Sequence, residues 1–285
     1  YLRTLMGKKK VLYVSQEISP YTSETRMSLL GAQLPQKTQE NGNDIRIFLP
    51  KYGTINERRH QLHEVIRLSG MNLIIDDFDH QLIIKVASIQ QLRMQVYFID
   101  NEEYFPRRQK FNDTNGKFMH NNDERMIFYC KGVIETVRKL GWKPDIIHCQ
   151  GWFASLVPLY IKKLYYDDPL FYDTKIVYSL FNNGFKGELG DNNIIEKLLF
   201  ENLTKEDVGL IKDCTLTNLN KFAINYSDAI IQASPKINNS ITNYIIKSEK
   251  PFMTDFNEEI DEKKYLDFYD QVLEKKEEAE LVMMG

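Results

Sequence analysis

Short apolar runs alternate with helix-length amphipathic segments along most of the chain, and this alternation limits the possible folds more than any other feature. The first run covers residues 10–14 and ends at polar Ser15, and residues 27–41 then carry apolar side chains at helical spacing before Gly42. A second apolar run covers residues 44–50. Because strand, helix and strand within about forty residues form a βαβ unit, the pattern predicts a parallel sheet.

The same alternation continues to about Lys250. It predicts further strands at residues 145–148, 174–180 and 229–232, and helices at residues 123–140 and 152–164. Ser234-Pro235 is typical of a helix start, with Ser234 as N-cap and proline in the first helical position. The predicted fold class is therefore α/β, a parallel sheet flanked by helices.

Residues 73–99 follow a different pattern. Three apolar runs at residues 73–75, 82–86 and 94–98 are separated by short polar breaks that leave no room for a helix. They predict an antiparallel meander inserted in the sheet. The aspartates at 76, 77 and 79 resemble a metal site in composition, but acidic turns between strands are more common, and we expect a turn.

The C-terminal segment gives the chain its net negative charge. Residues 258–280 contain ten acidic residues and four lysines, a balance of −6, whereas the remaining 33 basic and 30 acidic residues give +3. Pro251 separates this segment from the alternating part, and we expect a domain at residues 1–250 and a helical segment at residues 251–285. One helical stripe is apolar, so we expect this helix to dock on the domain. The stripe consists of Tyr265, Phe268, Tyr269, Val272 and Leu273.

Composition excludes several classes of protein. The nearly neutral body argues against general nucleic-acid binding, and no apolar run is long enough for a membrane span. Cys130, Cys149 and Cys214 are far apart and odd in number, which fits a reducing cytoplasm. His60 and His63 have the spacing of helix neighbours but lack further ligands, so a solvated helix face is favoured over a zinc site.

Parallel sheets bind ligands beyond the carboxyl ends of their strands, and this rule ranks the polar residues. His148 and Asn182 stand at predicted strand ends and are the first candidates, followed by Ser15, Gln16 and Glu17. A structural alternative remains for each: a lone histidine is often only hydrogen-bonded, and asparagine is common in turns. Trp152 fits core packing as well as a sugar-stacking platform, and Ser234 is most simply an N-cap.

Several collinear motifs resemble the amino-terminal catalytic domain of glycogen and bacterial starch synthases, one Rossmann-like half of the GT-B glycosyltransferase fold. The resemblance extends from about Lys8 to Lys247. Its motifs are Val11–Pro20 with its Ser-Gln-Glu-x-x-Pro ending, Leu34-Pro35, Gly42–Pro50 with Tyr52, Asp123-Glu124-Arg125 with Phe128, Pro144–His148 with Trp152 and Ala154, Tyr226–Ala229, and Ala233–Pro235.

The resemblance implies an α-glucan glucosyltransferase that elongates glucan from a sugar nucleotide, ADP-glucose or UDP-glucose. Transfer would be retaining and would need no metal held by the protein and no other cofactor. An α-glucan acceptor is the implied partner. The implied catalytic residues are His148 and Asn182, and the implied substrate-binding residues are Glu17, Arg26, Trp152 and Ser234.

The chain departs from the family pattern at functional places. Ser23, Thr25 and Arg26 replace the lysine and two glycines of the first loop, with Arg26 as a substitute cation. Further departures are Gln150, Gly151 and Phe153 in the His-x-His-Asp-Trp-His segment, and Phe181 in place of the histidine before Asn182.

Three hypotheses about function follow. The length predicts a single GT-B half, so a transferase would lack its second domain unless a partner chain or a second copy completes the cleft. The alternative is a non-catalytic glucan-binding or regulatory pseudoenzyme, and a third hypothesis is an oligomerising scaffold. Transfer of labelled glucose to glycogen distinguishes the enzyme from the other two.

Overall fold

The computed structural model describes residues 7–190, 193–257 and 259–284. The strands are β1 (Lys10–Ser15), β2 (Asp44–Pro50), β3 (His63–Glu64), β4 (Met71–Ile75), β5 (Phe78–Ile89), β6 (Met94–Asp100), β7 (Ile146–Gln150), β8 (Lys175–Leu180), β9 (Ala229–Gln232) and β10 (Phe252–Thr254). The α-helices are α1 (Arg26–Glu40), α2 (Glu57–His60), α3 (Asn122–Leu140), α4 (Val157–Lys163), α5 (Ile194–Leu199), α6 (Lys205–Val208), α7 (Leu216–Tyr226), α8 (Asn239–Ser248) and α9 (Glu262–Met284).

The predicted parallel sheet is confirmed. Its strand order is β10-β9-β8-β7-β1-β2-β6-β5-β3, and every neighbouring pair from β10 to β6 is parallel. The chain starts in the middle at β1, moves outward through β2 to β6, and returns to β7 on the other side of β1. The strand order therefore reverses between β1 and β7. Because crossovers between parallel strands are right-handed as a rule, we expect α1 and α3 on opposite faces of the sheet.

The predicted meander is also confirmed, since β5 pairs in antiparallel fashion with both β4 and β6. Asp76 and Asp77 form its first turn with positive φ angles of 49° and 65°, as expected for a tight hairpin turn. The predicted shared helix face of His60 and His63 is wrong. Gln61, with φ of 54°, ends α2 directly after His60, and His63 lies in β3.

Three predicted boundaries are wrong. Strand β7 continues past His148 to Gln150, because Cys149 and Gln150 are as deeply buried as the residues before them. The predicted helix at 152–164 is a 3-10 turn at Trp152–Ala154 followed by α4. Ser234 is not an N-cap, because α8 begins only after Asn238, whose side chain accepts a hydrogen bond from the amide of Ser240.

The C-terminal segment joins the fold through an edge strand and a helix. Strand β10 extends the sheet beside β9, and α9 packs beside α1. The predicted apolar stripe on α9 is confirmed: Tyr265, Phe268, Tyr269 and Val272 are buried, and Leu273 packs against the core. The division of the chain near residue 250 stays a prediction.

Candidate functional site

The crevice between β1 and β7 lies where the strand order reverses. Ser15 ends β1 and donates a hydrogen bond from Oγ to Oε1 of Gln150, which ends β7, over 2.9 Å. Gln16 accepts a hydrogen bond on Oε1 from the amide of Phe153 over 3.1 Å. Gly151 has φ of 88°, and a Cβ there would lie 2.6 Å from Oε1 of Gln16. The switch point is therefore filled by polar side chains that hold the two loops together.

Glu17 is buried and forms an ion pair with the half-buried Lys110 at the start of α1. Its Oε1 lies 2.5 Å from Nζ of Lys110, and its Oε2 accepts a hydrogen bond from Oγ1 of Thr25 over 2.6 Å. Thr25 is the N-cap of α1, so the carboxylate fixes the first turn of the helix. The ammonium of Lys110 also lies over the rings of Tyr52 and Phe111. Glu17 thus fixes the start of α1 at the rim of the sheet, the edge formed by the carboxyl ends of the parallel strands.

Arg26 is the first residue of α1, and its guanidinium contacts the C-terminal segment. Nη2 lies 3.1 Å from both the carbonyl oxygen and Oδ2 of Asp255. Nη1 donates a hydrogen bond to the carbonyl oxygen of Asn257. Oδ2 of Asp255 also accepts a hydrogen bond from Oη of Tyr265 over 2.7 Å. The cation at the helix start is therefore engaged by residues that follow β10.

His148 lies in the middle of β7 and is completely buried beneath α9. Its Nδ1 is 2.6 Å from Oη of Tyr269, and its Nε2 is 2.6 Å from Oγ of Ser179 on β8. Burial lowers the pKa of the His148 imidazole from 6.5 to about 3, so the ring is neutral. The ring of Tyr269 also lies edge-on to the imidazole, with ring centroids 5.8 Å apart.

The hydrogen-bond chain continues beyond Tyr269 and assigns the tautomer of His148. Thr38 donates its hydroxyl proton to the carbonyl of Leu34, so Tyr13 must donate to Thr38, and Tyr269 donates to Tyr13. Since each hydroxyl has one proton, Tyr269 accepts from Nδ1 of His148. The neutral ring therefore carries its proton on Nδ1 and accepts from Ser179 on Nε2.

Trp152 lies in an aromatic cluster and is 3% exposed. Its ring centroid is 4.9 Å from those of Phe111 and Phe185 and 5.2 Å from that of Phe153. The neighbouring rings cover the indole, as core packing requires. A role for Trp152 in substrate binding stays a prediction.

Asn182 and Ser234 meet at the carboxyl ends of β8 and β9. The amide of Asn182 donates to Oγ of Ser234 over 3.1 Å, and Nε2 of Gln232 donates to the carbonyl of Ser234 over 2.8 Å. The side chain of Asn182 is exposed. It borders an open cavity of about 400 Å³. The other lining residues are Phe181, Phe185, Gly187, Thr215, Leu216, Thr217, Asn220, Lys236, Ile237, Asn238 and Ile241.

Asp123 and Glu124, in the helix start that resembles the family motif, share one lysine. Nζ of Lys197 lies 2.7 Å from Oδ2 of Asp123 and 2.7 Å from Oε1 of Glu124. Oη of Tyr104 donates to Glu124 over 3.1 Å. Burial raises the pKa of Asp123, and the hydrogen bond from Lys197 opposes this. These ion pairs join α3 to α5.

The structure therefore groups only some of the predicted site residues. Asn182 and Ser234 share one end of the rim, and Glu17 and Arg26 are neighbours through Thr25. His148 and Trp152 are buried away from solvent. Sequence reasoning missed Lys110, Asp255 and Tyr269, which contact residues 93 to 229 positions away and leave no local pattern. Among the described residues, no group of three His, Cys, Asp or Glu side chains is placed to hold a metal ion.

The fold is one half of a GT-B glycosyltransferase. The structure aligns with the catalytic domain of starch synthase IV from Arabidopsis thaliana, bound to ADP and acarbose, with a TM-score of 0.69 and 18% identity over 88% of this chain and 52% of that chain. The profile of the starch synthase catalytic domain matches residues 10–249. The chain belongs to this family.

The similarity to curated glycogen synthases agrees with this assignment to the family. The chain is 42% identical to a glycogen synthase from Chlorobium limicola over 196 residues, 68% of this chain and 40% of that protein. It is 37% identical to a glycogen synthase from Chlorobium phaeobacteroides over 235 residues, 81% of this chain and 47% of that protein. The chain thus spans less than half the length of these relatives. In the described ranges, no helix has the length and apolar character needed to cross a membrane. A cytoplasmic location stays a prediction.

Proposed function

We propose that this chain is the glucan-binding half of an α-glucan glucosyltransferase that elongates glucan from a sugar nucleotide. The observation that carries the proposal is the open cavity at the ends of β8 and β9, next to the paired Asn182 and Ser234. Family membership supports the reaction class. The named curated relatives are glycogen synthases.

The cavity has the chemistry of a saccharide site. Its apolar wall includes the partly buried Leu216 and Ile237, which suit the apolar faces of glucose units. Amide and hydroxyl groups, such as those of Asn182, Asn220 and Thr217, suit hydrogen bonds with sugar hydroxyls. We infer that Asn182 contacts the glucan directly and that Ser234 fixes the backbone at Asn182.

The donor is a sugar nucleotide, ADP-glucose or UDP-glucose, bound at the rim around the start of α1. Arg26 and the positive end of the dipole of α1 favour a diphosphate there. Glu17 orders this turn through Thr25. The Arabidopsis neighbour was solved with ADP and acarbose, which makes ADP and maltooligosaccharides the appropriate probes.

The glucan proposal is tested by calorimetric titration of the chain with maltoheptaose. We expect saturable binding that weakens about five- to twelvefold in Asn182→Ala, because a sugar–amide hydrogen bond is worth about 1 to 1.5 kcal/mol. Asn72→Ala is the matched control, since Asn72 is an exposed asparagine on β4 in the meander. No binding by the unaltered chain, or equal affinity in Asn182→Ala, contradicts the proposal.

A further inference from the structure

We propose that residues 255–257 form an autoinhibitory clasp that occupies the guanidinium of Arg26 and must release it before an anionic ligand binds at the start of α1. The inference rests on the proposed function for the anion, a nucleoside diphosphate. The clasp itself follows from contacts between two segments about 230 residues apart.

The clasp offers the terminal nitrogens of Arg26 oxygen acceptors, as a phosphate would. Both terminal nitrogens are used: Nη2 by the carbonyl oxygen and Oδ2 of Asp255, and Nη1 by the carbonyl oxygen of Asn257. Bidentate contacts with oxygen anions are the usual way in which arginine binds phosphate. Asp255 therefore competes for the same donors that a diphosphate would use.

The clasp is anchored to the fold on both sides. The amide of Asp255 donates to the carbonyl of Gln232 over 2.9 Å, which continues the ladder between β10 and β9. Tyr265 on α9 donates to Oδ2 of Asp255. Asp255 is only 1% exposed, so its carboxylate faces the protein and Arg26. The segment thus returns to Arg26 whenever β10 and α9 are docked.

The clasp leaves polar atoms unsatisfied. In the described part of the chain, buried Nε of Arg26 and buried Oδ1 of Asp255 have no hydrogen-bond partner. A buried polar atom without a partner destabilises the arrangement that contains it. A diphosphate with more acceptor oxygens would satisfy Arg26 better than Asp255 does. Release of the clasp by such a ligand is therefore a feasible exchange of partners.

Calorimetric titration of the full chain with ADP tests the clasp. We expect Asp255→Asn to bind ADP at least fivefold more tightly than the unaltered chain. Asp270→Asn is the matched control, because it removes a carboxylate of α9 that pairs with Lys9 and not with Arg26. We expect its affinity for ADP to equal that of the unaltered chain. Equal affinity in Asp255→Asn, or an equal gain in Asp270→Asn, overturns the clasp.

A second substitution separates the clasp from simple charge repulsion. In an Arg26→Ala chain, Asp255→Asn should no longer change the affinity for ADP, because there is no guanidinium left to release. A gain that persists there overturns the proposal. If Asp255→Asn does not fold, amide exchange of the unaltered chain decides: saturating ADP should accelerate exchange at residues 255–257, and unchanged or slower exchange contradicts the clasp.

The glucan titration is independent of this test, since neither Arg26 nor Asp255 lines the cavity beside Asn182. Equal ADP affinities together with maltoheptaose binding would reject the clasp and leave the proposed function intact. Absence of ADP binding in every variant would also reject the clasp. Absence of maltoheptaose binding would reject the glucan-binding function whatever the ADP result.

Discussion

His148 is held by its neighbours as a neutral, fully hydrogen-bonded ring. The side chains that face it are Tyr13, Tyr265, Tyr269 and Ser179, and none of them is a carboxylate that would stabilise an imidazolium. Protonation would also remove the acceptor on Nε2 that Ser179 uses. At this position the histidine stabilises the packing of α9 on the sheet. Its predicted catalytic role stays a prediction.

This burial predicts a pH dependence of folding. The folded pKa of His148 is about 3, below its ordinary 6.5, so the unfolded state binds more protons between these values. Stability from this residue is therefore complete above pH 6.5 and falls as the pH falls below it. Between pH 6.5 and 5 the loss is about 2 kcal/mol.

Urea unfolding of the unaltered chain and of His148→Gln at pH 7.5 and 5 measures this loss. The variant has a lower free energy of unfolding at pH 7.5 but a smaller decrease on acidification, by about 2 kcal/mol. Groups such as Asp100 and Glu201, whose pKa values are raised by burial, remain in both proteins and cancel in the comparison. The same decrease in both proteins would contradict the neutral, buried assignment.

At the scale of elements, helix α1 is fixed to the rim by close backbone contact as well as by its cap. A Cβ on Gly31 would lie 2.4 Å from the carbonyl oxygen of Glu17 and 3.3 Å from the side chain of Ile18. Glycine at this position lets the helix approach the loop after β1. The loop that carries Glu17 therefore depends on the position of α1.

Gly31→Ala should destabilise the protein by about 1 to 3 kcal/mol, because the backbone of the loop cannot yield without shifting Glu17. Gly209→Ala is the matched control: a Cβ there meets no atom within 4 Å, and its φ of −58° suits alanine. We expect the control to be as stable as the unaltered chain or slightly more stable. Urea unfolding of both variants measures the difference, and equal stability of the two would refute the close contact.

The elements that the sequence predicts well are those with local periodic patterns. The strands of the parallel sheet, the meander and the stripe on α9 all follow from apolar spacing within short windows. The boundaries of the elements are harder to predict. In the sequence, a buried Gln150 that accepts a hydrogen bond from Ser15 looks the same as a glutamine in an exposed loop. The predicted start of α8 is wrong for a similar reason. Ser234 accepts a hydrogen bond from the distant Asn182 and not from an amide of its own helix.

At the scale of the whole molecule, contacts between distant segments decide which candidate residues are available. Tyr269 reaches His148 because α9 packs on the sheet beside α1, and Asp255 reaches Arg26 because the segment after the edge strand β10 extends to the start of α1. These pairings require the complete topology, which no local pattern contains. Asn182 and Ser234 come together through neighbouring strand ends, as the rule for parallel sheets predicted. They leave an open cavity beside them.

The central claim is that this cavity, at the carboxyl ends of β8 and β9, binds α-glucan. The most direct measurement is a crystal structure of the chain with maltoheptaose. We predict glucose units along the cavity, with a hydroxyl hydrogen-bonded to the side chain of Asn182 and a sugar face against Leu216 or Ile237. Density for the sugar at another surface, with this cavity empty, would contradict the account.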